Sequence, residues 1–237
     1  MNLFVYRFID MAVPGKVSKP SVSQRAAPKL LSEEAVGKRD GNKQKKLAKI
    51  AKAAKQVFTK KGFEDATMQE IAKLAGVATG TLFLYADNKR DIAFLASAED
   101  FASAIRSFSE TPVDGAFVDQ MIACYRPYFI MHNANPEMAK IILSEFLFFV
   151  GKQARRHGEG AIAMKTEAIR RAVHAQRIGE LIGTVPAPEI GDLVYYIFQG
   201  VIRRWVQTGA VDVEEGLGMF HRSLSLGLAG MMAKPAQ

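Results

Sequence analysis

The sequence predicts an all-α protein in two parts: a three-helix domain containing a helix-turn-helix, and a six-helix domain behind it. Three observations carry that reading. Apolar residues recur at three- and four-residue spacing from about residue 42 onward, and no stretch alternates as a half-buried strand would. Pro136, Gly151, Gly158, Pro186, Pro188 and Gly209 punctuate the pattern into separate rods. Near the front, Thr67 to Tyr85 holds two short helical patterns around a single Gly76. With 237 residues, 49% hydrophobic and 24% charged, the chain is long enough for one or two domains with real cores.

Residues 1–41 are rich in Pro, Ser, Lys and Ala, and Pro14, Pro20 and Pro28 interrupt any long helix. They read as a flexible basic arm, of the kind that enters minor grooves in other DNA readers; a solvated tail without a role fits the same composition. Met1 and Met11 are both candidate starts. The apolar opening is short and lacks the basic region and cleavage site of a signal peptide.

The DNA-binding domain is expected at residues 42–88. Its first helix runs from about Asn42 to Lys61, with Leu47, Ile50, Ala51, Ala54, Val57 and Phe58 on one stripe and six lysines around the rest. Gly62 ends it and Phe63 folds back on it. Thr67 and Glu70 have capping-box spacing, so a second helix begins at Met68 with Ile71, Ala72, Leu74 and Ala75 on its apolar face. Gly76 closes that helix in the left-handed conformation open to a residue without Cβ. Val77 plugs the corner, and a third helix runs from Ala78 or Thr79 to Tyr85 with Leu82 inward. Thr79, Gly80 and Thr81 lead it and are slim enough to sit deep in a major groove.

The run Gly76-Val-Ala-Thr-Gly-Thr-Leu-Phe-Leu-Tyr-Ala-Asp-Asn-Lys89 resembles the recognition segment of TetR-family transcriptional regulators. The approach Phe63-Glu-Asp-Ala-Thr-Met-Gln-Glu-Ile-Ala resembles that family's entry to its second helix. Three positions depart from the usual pattern. Ala78 stands where the family carries a capping Ser, Phe83 where it carries Tyr, and Ala86 where it carries Phe. The resemblance is specific over roughly Gln44 to Ile92 and architectural afterwards. It implies a homodimer whose last two helices form a four-helix interface, and a small-molecule effector bound among the central helices.

Charge agrees with a DNA partner. The net charge is +8, and thirteen cations between Lys38 and Arg90 face few acids. A lysine-rich helix face is as often merely solvated. Beside a helix-turn-helix, phosphate contact is the sharper expectation, and Lys43 and Lys46 near the start of the first helix are its candidates. The remaining candidate DNA contacts are Thr67, Thr79, Gly80, Thr81, Phe83, Tyr85 and Lys89.

The regulatory and dimerisation domain is expected at 89–237. A fourth helix starts at Lys89, capped by Asn88 with Asp91 three residues on, and is broken at Thr111-Pro-Val-Asp-Gly. Five more are expected near Phe117–Met131, Pro136–Val150, Gly160–Leu181, Glu189–Thr208 and Val213–Met232. Leu193, Tyr196, Ile197, Gly200, Val201 and Arg204 form one face of the penultimate helix; Phe220, Leu224, Gly227 and Leu228 form one in the last. Small Gly200, Gly216, Gly218 and Gly227 allow close helix approach. Aromatics with a few polar groups in helical register suit a ligand cavity, and its candidate lining is Phe117, Met121, Tyr125, Phe149, His174 and Gln199. Ordinary core packing accounts for the same stripe.

The sequence makes no case for catalysis. His132, His157, His174 and His221 are scattered without a second ligand at i+4, and neither a phosphate loop nor an H-E-x-x-H motif occurs. No enzyme activity, cofactor or metal is therefore expected. Lone Cys124 fits a reducing cytoplasm, and no apolar run is long enough for a membrane span. The leading reading is a cytoplasmic, homodimeric, ligand-responsive repressor that binds a palindromic operator through residues 68–89. The competing reading is a helical interaction or small-molecule-binding module without sequence-specific DNA binding, and the unopposed lysines favour the former.

Overall fold

The computed structural model describes residues 33–145, 153–209 and 212–233. Two compact units are distinguished, residues 1–40 and 41–237; of the first, the backbone from Glu33 is helical. The helices are α1 (Glu33–Asp65), α2 (Met68–Ala75), α3 (Thr79–Leu82), α4 (Lys89–Glu110), α5 (Phe117–Ala134), α6 (Pro136–Glu145), α7 (Ala154–Arg177), α8 (Ala187–Gln207) and α9 (Val213–Leu228). Among the described residues the fold is all-helical, as the apolar spacing requires. Its one extended contact is an isolated antiparallel bridge between Leu181 and Met232.

Two apolar clusters hold the second unit together. The first joins Ile50, Phe58, Ile71, Leu82 and Ala86 of the front helices to Ile92, Phe94 and Leu95 of α4, and to Met138, Ile141 and Ile142 of α6. The second is built from α4, α5 and α7–α9 around Phe108, Tyr125, Phe129, Phe198, Trp205 and Phe220. Tyr125 lies 4.5 Å from Phe198 and 5.1 Å from Phe220 between ring centroids, a spacing that adds roughly 0.5–1.5 kcal/mol per pair beyond burial. Helix α4 belongs to both clusters, and α6 contributes Ala139 to the second while its other buried residues serve the first.

Several boundaries differ from the sequence reading. Helix α1 begins at Glu33 rather than Asn42, because no proline follows Pro28 to stop it. Its regular turns end at Gly62, whose φ of 77° and ψ of 176° break the helix before one last turn. Phe63 then folds back, its ring 5.7 Å from that of Phe58. Helix α7 starts at Ala154 and stops at Arg177, and α9 stops at Leu228 instead of Met232. The cause is pairing: Ile182 N–H donates to the Met231 carbonyl, and Ala233 N–H to that of Glu180, both at 2.9 Å. Leu74 is also corrected, since it is 54% exposed and the buried face of α2 is Ile71, Ala72 and Ala75.

The connection between α4 and α5 is held by a wholly buried cation. Arg171 on α7 donates to the Pro112 carbonyl at 2.8 Å, to Gln120 Oε1 at 3.1 Å and to the Thr111 carbonyl, and pairs with Glu167 at 2.9 Å. A buried guanidinium is tolerated only when its N–H groups are matched in this way.

Small residues matter at particular crossings. A Cβ on Gly216 would stand 2.7 Å from Phe129, and one on Gly227 would stand 2.7 Å from Ile197. One on Gly191 would meet Ile169 at 2.4 Å and the α7 backbone at 3.2 and 3.3 Å. Gly200 faces open space, and Gly218 meets only an Arg222 side chain at 3.4 Å. We expect Gly191→Ala to force α7 from α8 and cost about 1–3 kcal/mol of unfolding free energy. Gly218→Ala should leave stability unchanged or raise it through helix propensity. Thermal unfolding of both variants checks the contrast.

Candidate DNA-binding and effector sites

The reader is set by its caps. Glu70 N–H donates to Thr67 Oγ1 and Thr67 N–H donates to Glu70 Oε2, both at 3.2 Å, so the predicted capping box is complete. An ion pair with Lys61 holds the Glu70 carboxyl below its ordinary range and ties α2 to the end of α1. Gly76 adopts φ 67°, ψ 37° and turns the chain sharply into α3. At Ala78 the cap lacks a side-chain hydrogen bond, the consequence of Ala where Ser would accept one. Only Thr79–Leu82 is α-helical; tighter turns continue it, with Tyr85 N–H donating to the Leu82 carbonyl at 2.9 Å. Leu82 is buried, while Gly80, Phe83 and Leu84 are exposed and Thr79, Thr81 and Tyr85 half-buried. Residues proposed for base contact thus lie on the outward side of a helix anchored by one leucine.

Lysines divide by their surroundings. Lys43, Lys45, Lys46, Lys49 and Lys52 are exposed along α1. Lys55 pairs with Asp100 of α4 at 2.6 Å. Lys89 turns inward: its Nζ donates to the Glu64 carbonyl at 2.8 Å and sits 4.6 Å from the centre of the Phe63 ring. It therefore fastens the start of α4 to the end of α1, a role the sequence did not show. An ammonium has three donors, so this geometry leaves capacity for a phosphate.

Behind the reader lies a polar clamp. Asp91 is completely buried. Its Oδ2 accepts the Asp87 N–H at 2.9 Å and its Oδ1 accepts the Gln153 N–H at 2.8 Å. Asn88 Oδ1 caps α4 by accepting the Asp91 N–H at 2.9 Å. Gln153 Nε2 donates back to the Tyr85 carbonyl at 3.2 Å. The residue entering α7 is thus bonded both to the end of the recognition turn and to the first turn of α4. An Arg90–Glu145 ion pair adds a link to α6, and Asn135 Nδ2 donates to Thr59 Oγ1 of α1 at 2.8 Å.

On the far side of α6 a cavity of about 80 Å³ lies among α4, α5, α6, α7 and α8. Phe101, Ile105, Ile142, Leu143, Met164 and Phe198 give it an apolar wall; Tyr128, His132, Tyr195 and Gln199 bring polar atoms. His132 Nδ1 lies 2.7 Å from the Tyr128 carbonyl. Burial, with repulsion from Arg203, lowers the His132 pKa from the usual 6.5 to about 4 despite that bond. Tyr128 is likewise pushed well above the ordinary phenol range by burial.

The candidate lining from sequence is dispersed. Gln199 reaches the cavity. Phe117, Met121 and Tyr125 are wholly buried in the second apolar cluster instead, and His174 is exposed on α7. Phe149 lies outside the described residues. Cys124 is buried, its thiol raised to about 11 by desolvation, which makes it inert.

Residues 50–95 match the family model described as bacterial regulatory proteins, tetR family. The helix-turn-helix segment of this chain is thereby matched to the TetR family. It is 26% identical over 203 residues, 81% of this chain and 94% of the relative, to the HTH-type transcriptional regulator TtgR of Pseudomonas putida. Over 81 residues, 34% of this chain and 42% of the relative, it is 33% identical to the fatty acid metabolism regulator protein of Bacillus subtilis. Its fold is similar to that of FadR from Thermus thermophilus, a TetR-family transcriptional repressor solved in complex with lauroyl-CoA. That match has a TM-score of 0.61 at 21% identity and covers 81% of this chain and 98% of the other. The protein is a DNA-binding transcriptional regulator, and the relatives it matches are regulators rather than enzymes.

Beyond the residues proposed from sequence, the structure adds Asp91 and Gln153 behind the reader and His132, beside Tyr128, in the cavity. Tyr128 and His132 carried one usable signal, an i,i+4 polar pair within an apolar helix. Asp91 read as part of a capping box, and only the fold reveals its burial.

His132 supplies a pH test. The unfolded imidazole takes a proton near pH 6.5 and the folded one near 4, so acid favours the unfolded chain. Stability falls as pH drops through that window, by on the order of 3 kcal/mol when the drop is complete. Between about pH 7 and pH 5, the wild type should lose about 2 kcal/mol more than His132→Leu in denaturant titrations.

Proposed function

We propose that the protein is a cytoplasmic, homodimeric repressor that binds a palindromic operator and leaves it when a small apolar effector enters the α4–α8 cavity. The observation that carries this reading is the placement of α6. Ile142 packs in the reader's cluster and also lines the cavity. Filling the cavity therefore moves a residue on which the recognition helices rest. Only an effector with different affinity for the two arrangements shifts their populations, and about 1–3 kcal/mol of coupling weakens DNA binding roughly 5- to 150-fold. FadR of Thermus thermophilus, of similar fold, was solved with lauroyl-CoA, which supports a ligand among these helices.

In DNA binding, Thr79 and Thr81 address base edges or thymine methyls, and Gly80 permits close approach. Thr67, Phe83 and Tyr85 flank the phosphates, Lys43 and Lys46 follow the backbone from α1, and Lys89 bridges phosphate and the Glu64 carbonyl. A mobility shift with the DNA upstream of the protein's own gene tests the reading directly. A specific complex carrying two protomers is expected, and absence of any sequence preference contradicts it. Lys46→Ala should weaken binding to all sequences alike and lower the salt slope by about one.

The dimer face proposed is the outer side of α8 and α9. Tyr196 and Leu226 are 62% and 78% exposed there, and Gly200 leaves room for a facing helix. Phe220, Leu224 and Leu228, expected on that face from sequence, are instead buried within the protomer. Gly200→Arg should yield folded monomers with at least about tenfold weaker self-association, measured by sedimentation. An unchanged dimer would place the interface elsewhere.

A further inference from the structure

The polar atoms of the cavity indicate which chemical class of effector it takes. Tyr128 and His132 are one turn apart on α5, only 1% and 4% exposed, and both line the cavity. The Tyr128 hydroxyl and His132 Nε2 are buried without a hydrogen-bond partner. The state of Nε2 follows from the other ring nitrogen. A backbone carbonyl can only accept, so the 2.7 Å contact to Tyr128 requires the proton on Nδ1. Nε2 of the neutral ring is then a buried lone-pair acceptor without a donor, on a residue that lines the cavity. Burial and the nearby Arg203 cation both disfavour a second proton on the ring.

We propose that the cavity binds a neutral apolar alcohol or phenol, whose O–H donates to His132 Nε2 while its oxygen accepts from the Tyr128 hydroxyl. This inference rests on the reading of the cavity as the effector site and adds the class of effector. An ionised carboxylate would set its own lone pairs against that of Nε2 and be stripped of water in an apolar enclosure. An ether would satisfy Tyr128 but leave Nε2 unmatched. Arg203, the cation that would favour an acid, does not line the cavity. Its Nη1 donates to the Gln199 side chain at 2.7 Å and to the Gln199 carbonyl at 2.8 Å, while its Nε and Nη2 are buried without a partner. Size limits the ligand as well. A dry cavity of ~150 Å³ holds benzene, so about 80 Å³ suits a single ring once the flexible Met164 side chain gives way.

The test is isothermal titration of the full chain with para-ethylphenol, para-ethylanisole and para-ethylbenzoate, matched in shape and differing in the polar group. The phenol should bind about tenfold or more tightly than the methyl ether, and the benzoate more weakly than either. Tyr128→Phe, which removes only a hydroxyl, should weaken phenol and ether alike by severalfold and leave the phenol's advantage in place; His132→Phe should abolish that advantage. Equal binding of phenol and ether, tighter binding of the benzoate, or no binding of any of the three overturns the proposal. Tighter benzoate would move recognition to Arg203. Operator binding, followed by mobility shift on the same preparation, reports separately. If the phenol binds as described and the operator complex persists, the ligand class stands and the effector reading fails.

Discussion

A buried carboxylate joins the parts of this protein that must act together. Asp91 stands where the recognition turn ends, α4 begins and α7 is entered, and it accepts N–H groups from both Asp87 and Gln153. A buried charge is stable only while such donors remain in place. Breaking one contact would leave a desolvated carboxylate short of a partner, at a cost of about 1–3 kcal/mol. The reader cannot tilt away from the helices behind it without that cost, so its orientation follows theirs.

Apolar packing gives the clamp its leverage. Helix α6 is short, yet Met138, Ile141 and Ile142 belong to the reader's core while Ala139 belongs to the other, and Ile142 and Leu143 border the cavity. Close-packed interiors transmit displacement because they contain little free volume to absorb it. The covalent route through α4 was evident from the chain order. A second set of contacts, through α6 and Gln153, runs parallel to it, and the proposed coupling does not depend on one long rod.

Much of the reader was legible because its determinants are local. Thr67 and Glu70 specify a cap by spacing, Gly76 a left-handed turn, and Leu82 an inward anchor, and each is found so. The order of the later helices followed from proline and glycine punctuation. What sequence could not supply was long-range geometry. The aromatic stripe of α5 splits between a solid core at Tyr125 and a cavity at Tyr128, one turn apart. Periodicity places both on one side of the helix without saying which meets space. Lys89 and Phe220 illustrate the same limit, since both were assigned outward roles and each turns toward a partner within the protomer.

The measurement that bears most directly on this account is amide hydrogen exchange of the free and operator-bound protein. Coupling through the clamp predicts that operator binding raises protection within residues 42–89 and also at Gln153 and along α6 from Met138 to Leu143. Protection confined to residues 42–89, with Gln153 and α6 exchanging as in the free protein, would contradict it.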